Sequence, residues 1–219
     1  MLVTIDGQSC TGKSTIAIML AKELDCYFLG SGSLYRLVAR YMMRNSDCNK
    51  EALSSFISSL SSRVEFLISG SNMLVLLDGD DVTADLHHVS VGKHASQIAK
   101  DAEIRSLLYP VQRAFYQQPG LVAEGRDMGS VIFKDADMKF FLTAPLEVRA
   151  MRRYNQLKQY SVSKTLQEVA TELDKRDHQD SSREASPLLI PSGAVEFDTS
   201  AGDISYAVKC LKDRLLSKF

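Results

Sequence analysis

The chain is short of cysteine, of net charge and of long apolar runs, and each shortage excludes a class of protein. Only four cysteines occur, Cys10, Cys26, Cys48 and Cys210. They form no CxxC pair and no metal-ligand spacing, so a disulfide framework and a structural zinc are excluded and reduced thiols in a cytoplasmic protein are expected. The 26 basic and 27 acidic residues leave a formal net charge of −1. That balance offers no overall attraction to nucleic acid or to an acidic membrane, although positive charge can still gather at one site. No stretch approaches the roughly 20 apolar residues of a membrane span. The five residues before Asp6 contain neither a basic segment nor an apolar core, so no secretory leader is expected. Neither an internal repeat nor a flexible linker is present.

What is present is the composition of an ordinary globular protein, 45% hydrophobic and 24% charged over 219 residues. This suffices for one domain with a sizeable core, or one domain carrying an inserted lobe. Short β-branched or aromatic runs predict strands at 2–5, 26–30, 120–127, 139–144 and 194–200. Between them apolar residues recur at helical spacing, as in Ile16, Met19, Leu20 and Leu24, or Leu53, Phe56, Ile57 and Leu60. Further helices are predicted over 84–100, over 101–117 with Pro110 as a kink or boundary, over 146–159 with Pro145 in the first turn, and over 163–178. Ile204, Val208, Leu211 and Leu215 mark a closing helix. Apolar strands alternating with helices imply a five-stranded parallel sheet covered on both faces. Two strands at 64–69 and 73–79, joined through Gly70-Ser71-Asn72, interrupt the alternation and read as a hairpin inside an inserted lobe.

The stretch Gly7-Gln8-Ser9-Cys10-Thr11-Gly12-Lys13-Ser14-Thr15 matches G-x-x-x-x-G-K-[ST], with a strand before it and an amphipathic helix after it. Glycines let the backbone turn its N–H groups toward phosphate oxygens, and the helix adds the positive end of its dipole. Lys13 reaches the β- and γ-phosphates and the Ser14 hydroxyl is placed for Mg²⁺. Cys10 reads as a small filler of the loop, or as a reactive thiol near a helix N-terminus.

A phosphate loop serves switches, motors and kinases alike. A guanine-reading switch needs N-K-x-D, and Asn49-Lys50-Glu51-Ala52 lacks the aspartate. The arginines instead suit phosphoryl transfer, in which charge spreads over the equatorial oxygens of the moving group. Arg149, Arg152 and Arg153 fall on one side of a helix beside a packing stripe of Leu146, Ala150, Tyr154 and Leu157. Arg149 by itself reads as a solvated helix charge. Arg176 and Arg183 follow, with Asp177 and Asp180 between them, and Arg126 lies just past a strand end, where α/β sheets place ligands.

The motifs GQSCTGKST, SGSLYR, ASQIAKDAEIR, VQRAF, EGRDMGSVIF and KRDHQDSSREASPL resemble those of the bacterial-type cytidylate kinases, a branch of the nucleoside monophosphate kinases, almost from end to end. The resemblance implies the P-loop kinase fold, with a monophosphate-binding lobe at about 31–118 and a lid at about 149–185, and transfer of the ATP γ-phosphate to CMP or dCMP with Mg²⁺. It implies that Ser96, Arg105 and Asp127 contact the cytosine. Arg36, Arg126 and Arg176 would hold the acceptor phosphate. Ser31 and Asp180 would meet the sugar hydroxyls with Tyr35 and Arg183 nearby, Arg152 and Arg153 would close over ATP, and Glu124 would orient a magnesium-bound water.

The chain departs from the family pattern at Gly30 and Glu124, where aspartates are usual, and at His87, Gln179 and Ser181, where arginines are common. His87 and His88 read as surface or lobe residues. No exposed apolar stripe stands out, so a monomer is expected. A kinase for UMP, AMP or another small acceptor, and a nucleotide-binding module that has lost activity, are the alternatives.

Overall fold

The computed structural model describes residues 1–70, 72–159 and 163–218. In chain order it contains β1 (Leu2–Gly7), α1 (Lys13–Glu23), β2 (Tyr27–Gly30), α2 (Ser31–Arg44), α3 (Lys50–Arg63), β3 (Val64–Ser69), β4 (Asn72–Leu77) and β5 (Asp80–Asp81). There follow α4 (Thr83–His87), α5 (Val89–Ile98), α6 (Ala102–Ala114), β6 (Leu121–Gly125), one π-helical turn (Met128–Ile132), β7 (Met138–Thr143), α7 (Leu146–Gln159), α8 (Leu166–Ser182), β8 (Val195–Asp198) and α9 (Ile204–Leu216).

The main sheet runs β2-β6-β1-β7-β8, and every pairing in it is parallel. Alternate residues feed opposite faces, as strand geometry requires. Val3, Ile5, Phe28 and Val122 pack with Ile16 and Leu20 of α1 and with Val208 and Leu211 of α9. Leu2, Leu29 and Leu121 point the other way, toward Leu34 and Leu37 of α2 and toward Met128 and Phe133. Phe56 and Leu60 of α3, Val75 of β4 and Leu108 of α6 extend that second cluster. The stretch between β2 and β6 therefore shares one core with a face of the main sheet.

The predicted hairpin is present, with Val64 opposite Leu77 and Ser69 opposite Asn72, and the two-residue β5 adds a third strand too short to show a period. Ser71 of the predicted turn lies outside the described residues, as do Tyr160, Ser161 and Val162 of the expected lid. Asn49, the start of the defective N-K-x-D, is the N-cap of α3 and accepts from the Ala52 amide at 2.9 Å.

Three predicted boundaries change. The helix expected over 84–100 is two helices, because His88 is extended (φ −59°, ψ 139°). The Leu86 carbonyl accepts from Arg36 Nη1 at 2.6 Å instead of serving a longer helix. The helix expected over 163–178 starts at Leu166, where Thr165 and Glu168 form a capping box, and continues to Ser182. The strand expected to reach residue 127 stops at Gly125, and the chain turns sharply so that Arg126 and Asp127 leave the sheet at its carboxyl edge.

Candidate active site

The loop after β1 curls as its glycines allow. Gly7 has φ +150° and a Cβ there would collide with the Leu142 carbonyl oxygen, while Gly12, at φ +88°, caps α1. Lys13 Nζ donates to the Gln8 carbonyl at 2.9 Å, and so does the Thr11 hydroxyl at 3.1 Å. Lys13 is buried, and burial, reinforced by the Arg126 charge, pushes its pKa down to about 7. The Ser14 hydroxyl donates to Glu124 Oε1 at 3.1 Å. Cys10, also left-handed at φ +62°, packs against Ala150, Leu157, Val169 and Leu173 of α7 and α8.

One cavity of about 710 Å³ opens at this edge of the sheet. Lys13, Ser14 and Thr15 line one end of it. The wall continues along Ser31, Tyr35 and Arg36 of α2, past Ser96 of α5 and Arg105 of α6, to Glu124, Arg126 and Asp127. Arg176, Asp180 and Arg183 complete it from α8 and its C-cap. His87, expected at the surface or in the lobe, is exposed and also lies on this wall. Six lysine or arginine side chains face three carboxylates here, so a protein of nearly neutral charge presents a strongly positive cleft suited to a polyanion.

At the far end Arg105 pairs with Asp127, both buried, and also donates to the Ala99 carbonyl at 3.0 Å. Its guanidinium lies 5.6 Å from the Tyr35 ring centroid. Burial pushes the Tyr35 phenol up to about 12, so it stays protonated. Ser31 donates to Gln112 Oε1 at 2.8 Å. Nε of Arg105 and Nη2 of Arg183 are buried with no partner among the described residues. Gly92 lies beside the Arg36 guanidinium, 3.0 Å from where a Cβ would stand, so a larger side chain would press on Arg36.

In the middle, Arg126 Nε donates to Asp180 at 2.8 Å and its Nη2 to the Ser9 hydroxyl at 2.8 Å. Despite burial, Arg126 holds the Asp180 carboxyl below the usual range. The turn that carries Arg126 and Asp127 is anchored by Asp6, which accepts from the amides of Met128 (2.8 Å) and Gly129 (2.7 Å). Burial pushes Asp6 up to about 7 against those two bonds.

Not every arginine expected in the cleft lines it. Arg152 donates to the carbonyls of Thr11 (3.3 Å) and Thr199 (2.5 Å) and to the Thr199 hydroxyl (3.0 Å), bracing the loop from outside the cavity lining. Arg153 donates to Gln156 Oε1 at 2.7 Å. Arg149, read from sequence as a solvated charge, is buried and pairs with Asp177; the close packing of α7 on α8 removes it from water. Sequence reasoning also missed Asp6, whose signal is an acid ending an otherwise apolar strand, and Gln179, which carried no signal beyond its departure from the family.

The profile for "Cytidylate kinase" matches residues 3–213. The chain belongs to the cytidylate kinase family. It is 43% identical to the cytidylate kinase of Paraburkholderia phymatum, over 95% of this chain and 90% of that one. It is 42% identical to that of Polynucleobacter asymbioticus, over 97% and 94%. With the cytidylate kinase of Azotobacter vinelandii it shares 40% over 100% and 96%. The departures at Gly30, Glu124, Gln179 and Ser181 therefore sit within a match that spans almost the full length of these cytidylate kinases.

Proposed function

We propose that the chain transfers the γ-phosphate of ATP to CMP or dCMP, giving ADP and CDP or dCDP. The observation that carries this reading is the base end of the cavity. There a buried Arg105–Asp127 pair, with unpartnered N–H groups on Arg105 and Arg183, shares one cleft with the loop lysine. Both guanidiniums line the cleft and carry donors only, so a ligand there must supply acceptors. Cytosine complements such a wall. Its exocyclic amine seeks the Asp127 carboxylate and its ring acceptors seek guanidinium N–H groups, whereas uracil presents a carbonyl where the amine would be.

In this reading Arg36, Arg126 and Arg176 hold the acceptor phosphate, with Ser96 at the base and Ser31, Tyr35, Asp180 and Arg183 around the sugar. The loop Gly7–Thr15 and Lys13 hold the donor. Residues 31–118 form the acceptor lobe and 149–185 the lid; for Arg152 to close over ATP with Arg153 it must exchange its bonds to Thr11 and Thr199 for phosphate oxygens. An acceptor phosphate oxygen attacks the γ-phosphorus, and the bond to the β–γ bridging oxygen breaks, leaving ADP. The nucleophile is already ionised above the second phosphate pKa of about 6, so no general base is needed. Catalysis is positioning and charge neutralisation.

Ser14 and Glu124, 3.1 Å apart at the edge of the cavity, are hard oxygen donors and fit a Mg²⁺ that keeps phosphate oxygens and waters as its other ligands. Ser14 would bind it directly and Glu124 through a water. The chemistry such an ion would supply is neutralisation of phosphate charge beside Lys13. A monomer in the cytoplasm is part of the same proposal, and four free thiols suit a reducing compartment.

The test is ADP release from ATP and Mg²⁺ with CMP, dCMP, UMP, AMP and GMP in turn. Turnover confined to CMP and dCMP is expected. Turnover with another acceptor would keep the kinase and overturn the base site, and no turnover in folded protein that binds ATP would favour a binding module.

A further inference from the structure

Gln179 stands on α8 and does not line the cavity, yet it touches a residue that does. Its Nε2 donates to the Ser96 carbonyl at 3.0 Å and lies 3.1 Å from the Ser96 hydroxyl. A carbonyl can only accept, so the amide nitrogen, not its oxygen, faces Ser96. The Ser96 hydroxyl therefore accepts from Gln179. Its own proton is donated to none of the described residues and is left for the cavity that Ser96 lines. Ser96 sits in α5 and Gln179 in α8, 83 residues apart, and the two helices stand on either side of the acceptor end.

We propose that Gln179 is a positioning residue for the acceptor base, acting through Ser96. The shared amide fixes where the Ser96 backbone and hydroxyl stand and which way the hydroxyl proton points. It also ties the lobe helix to the helix that carries Arg176 and Asp180. The inference rests on the acceptor-site reading above. Both contacts use N–H donation, so the role belongs to any side chain of similar reach that donates, and not to one that only accepts. Gln179 is only partly buried and carries no charge, so its replacement by alanine strands no buried ion.

The experiment is steady-state kinetics on Gln179→Ala, Gln179→Glu and Gln179→Arg, varying CMP at saturating ATP and then ATP at saturating CMP. Loss of one such hydrogen bond corresponds to roughly a fivefold rise in KM for CMP in Gln179→Ala. Gln179→Glu, which sets a carboxylate against the Ser96 carbonyl, is expected to raise it about tenfold or more. Gln179→Arg keeps the donors and stays near the wild-type value. KM for ATP is unchanged throughout, and the melting temperature falls by no more than a few degrees. A wild-type enzyme active on CMP, with all three variants indistinguishable from it, would overturn the inference and spare the function. Equal rises in both KM values, or no rescue by arginine, would reduce Gln179 to a structural contact. A wild type inert toward CMP would remove both readings together.

Discussion

Arg149 of α7 and Asp177 of α8 form a buried ion pair, and each also holds the backbone of Ser9. The Ser9 amide donates to Asp177 Oδ1 at 3.3 Å, and the Ser9 carbonyl accepts from Arg149 Nη1 at 3.4 Å. The phosphate loop is thus gripped by the pair of helices that follows β7. Removing one partner strands a buried charge, and Asp177→Ala should cost about 3–5 kcal/mol of stability in urea unfolding. The double change Arg149→Met with Asp177→Leu should recover much of that stability. If the clamp positions the loop, KM for ATP stays raised in the double variant. A return of KM to the wild-type value would show that the pair serves stability alone.

Lys13 links nucleotide binding to protons. Burial, with Arg126 nearby, lowers its pKa to about 7, below the ordinary value of 10.5. Phosphate charge beside the ammonium favours the protonated form and raises the pKa again. At pH 8 the free site is mostly neutral, so binding should take up close to one proton, and affinity should fall as pH rises above about 7. Calorimetry of ATP binding in buffers of different ionisation enthalpy measures this directly. Equal heats in all buffers at pH 8 would contradict it. Lys13→Ala should abolish the uptake and nearly all turnover.

Asp127→Asn keeps the shape of the base wall but removes its charge and unpairs Arg105. Hydrogen bonds to charged groups contribute about 1.5–3 kcal/mol, so kcat/KM for CMP should fall roughly ten- to a hundredfold. The preference for CMP over UMP should narrow. An unchanged CMP:UMP ratio would place the base elsewhere.

Cys10 lies between Gln8, whose carbonyl accepts from Lys13, and the cluster of Ala150, Leu157, Val169 and Leu173. A bulky alkylating group there must displace α7 and α8 from the loop. Treatment with a maleimide is expected to inactivate the enzyme, with ATP protecting. Full activity after stoichiometric labelling of Cys10 would refute this.

The strands, most helices and the phosphate loop were legible in the sequence because each rests on local rules: alternation, helical spacing, and glycines at fixed distances. The gathering of positive charge around a loop in a nearly neutral chain was legible only in part. Arg126, Arg176 and Lys13 announced themselves by spacing and resemblance, and all three line the cavity. Arg149 and Arg152, about one turn apart on the helical side that also carries Arg153, could not be sorted by spacing. One proved to be a buried partner of Asp177 and the other a brace on Thr11 and Thr199.

By itself the sequence determined the order of elements, the nucleotide loop and the set of charged residues available for phosphoryl transfer, since these depend on residue type and on neighbours along the chain. Tertiary structure alone decided which charges meet. Asp6 reaches an amide 122 residues away, Arg149 meets Asp177 across 28, and Gln179 meets Ser96 across 83. Burial, and with it the shifted pKa values of Asp6, Lys13 and Tyr35, follows from such long-range packing, and no local pattern encodes it.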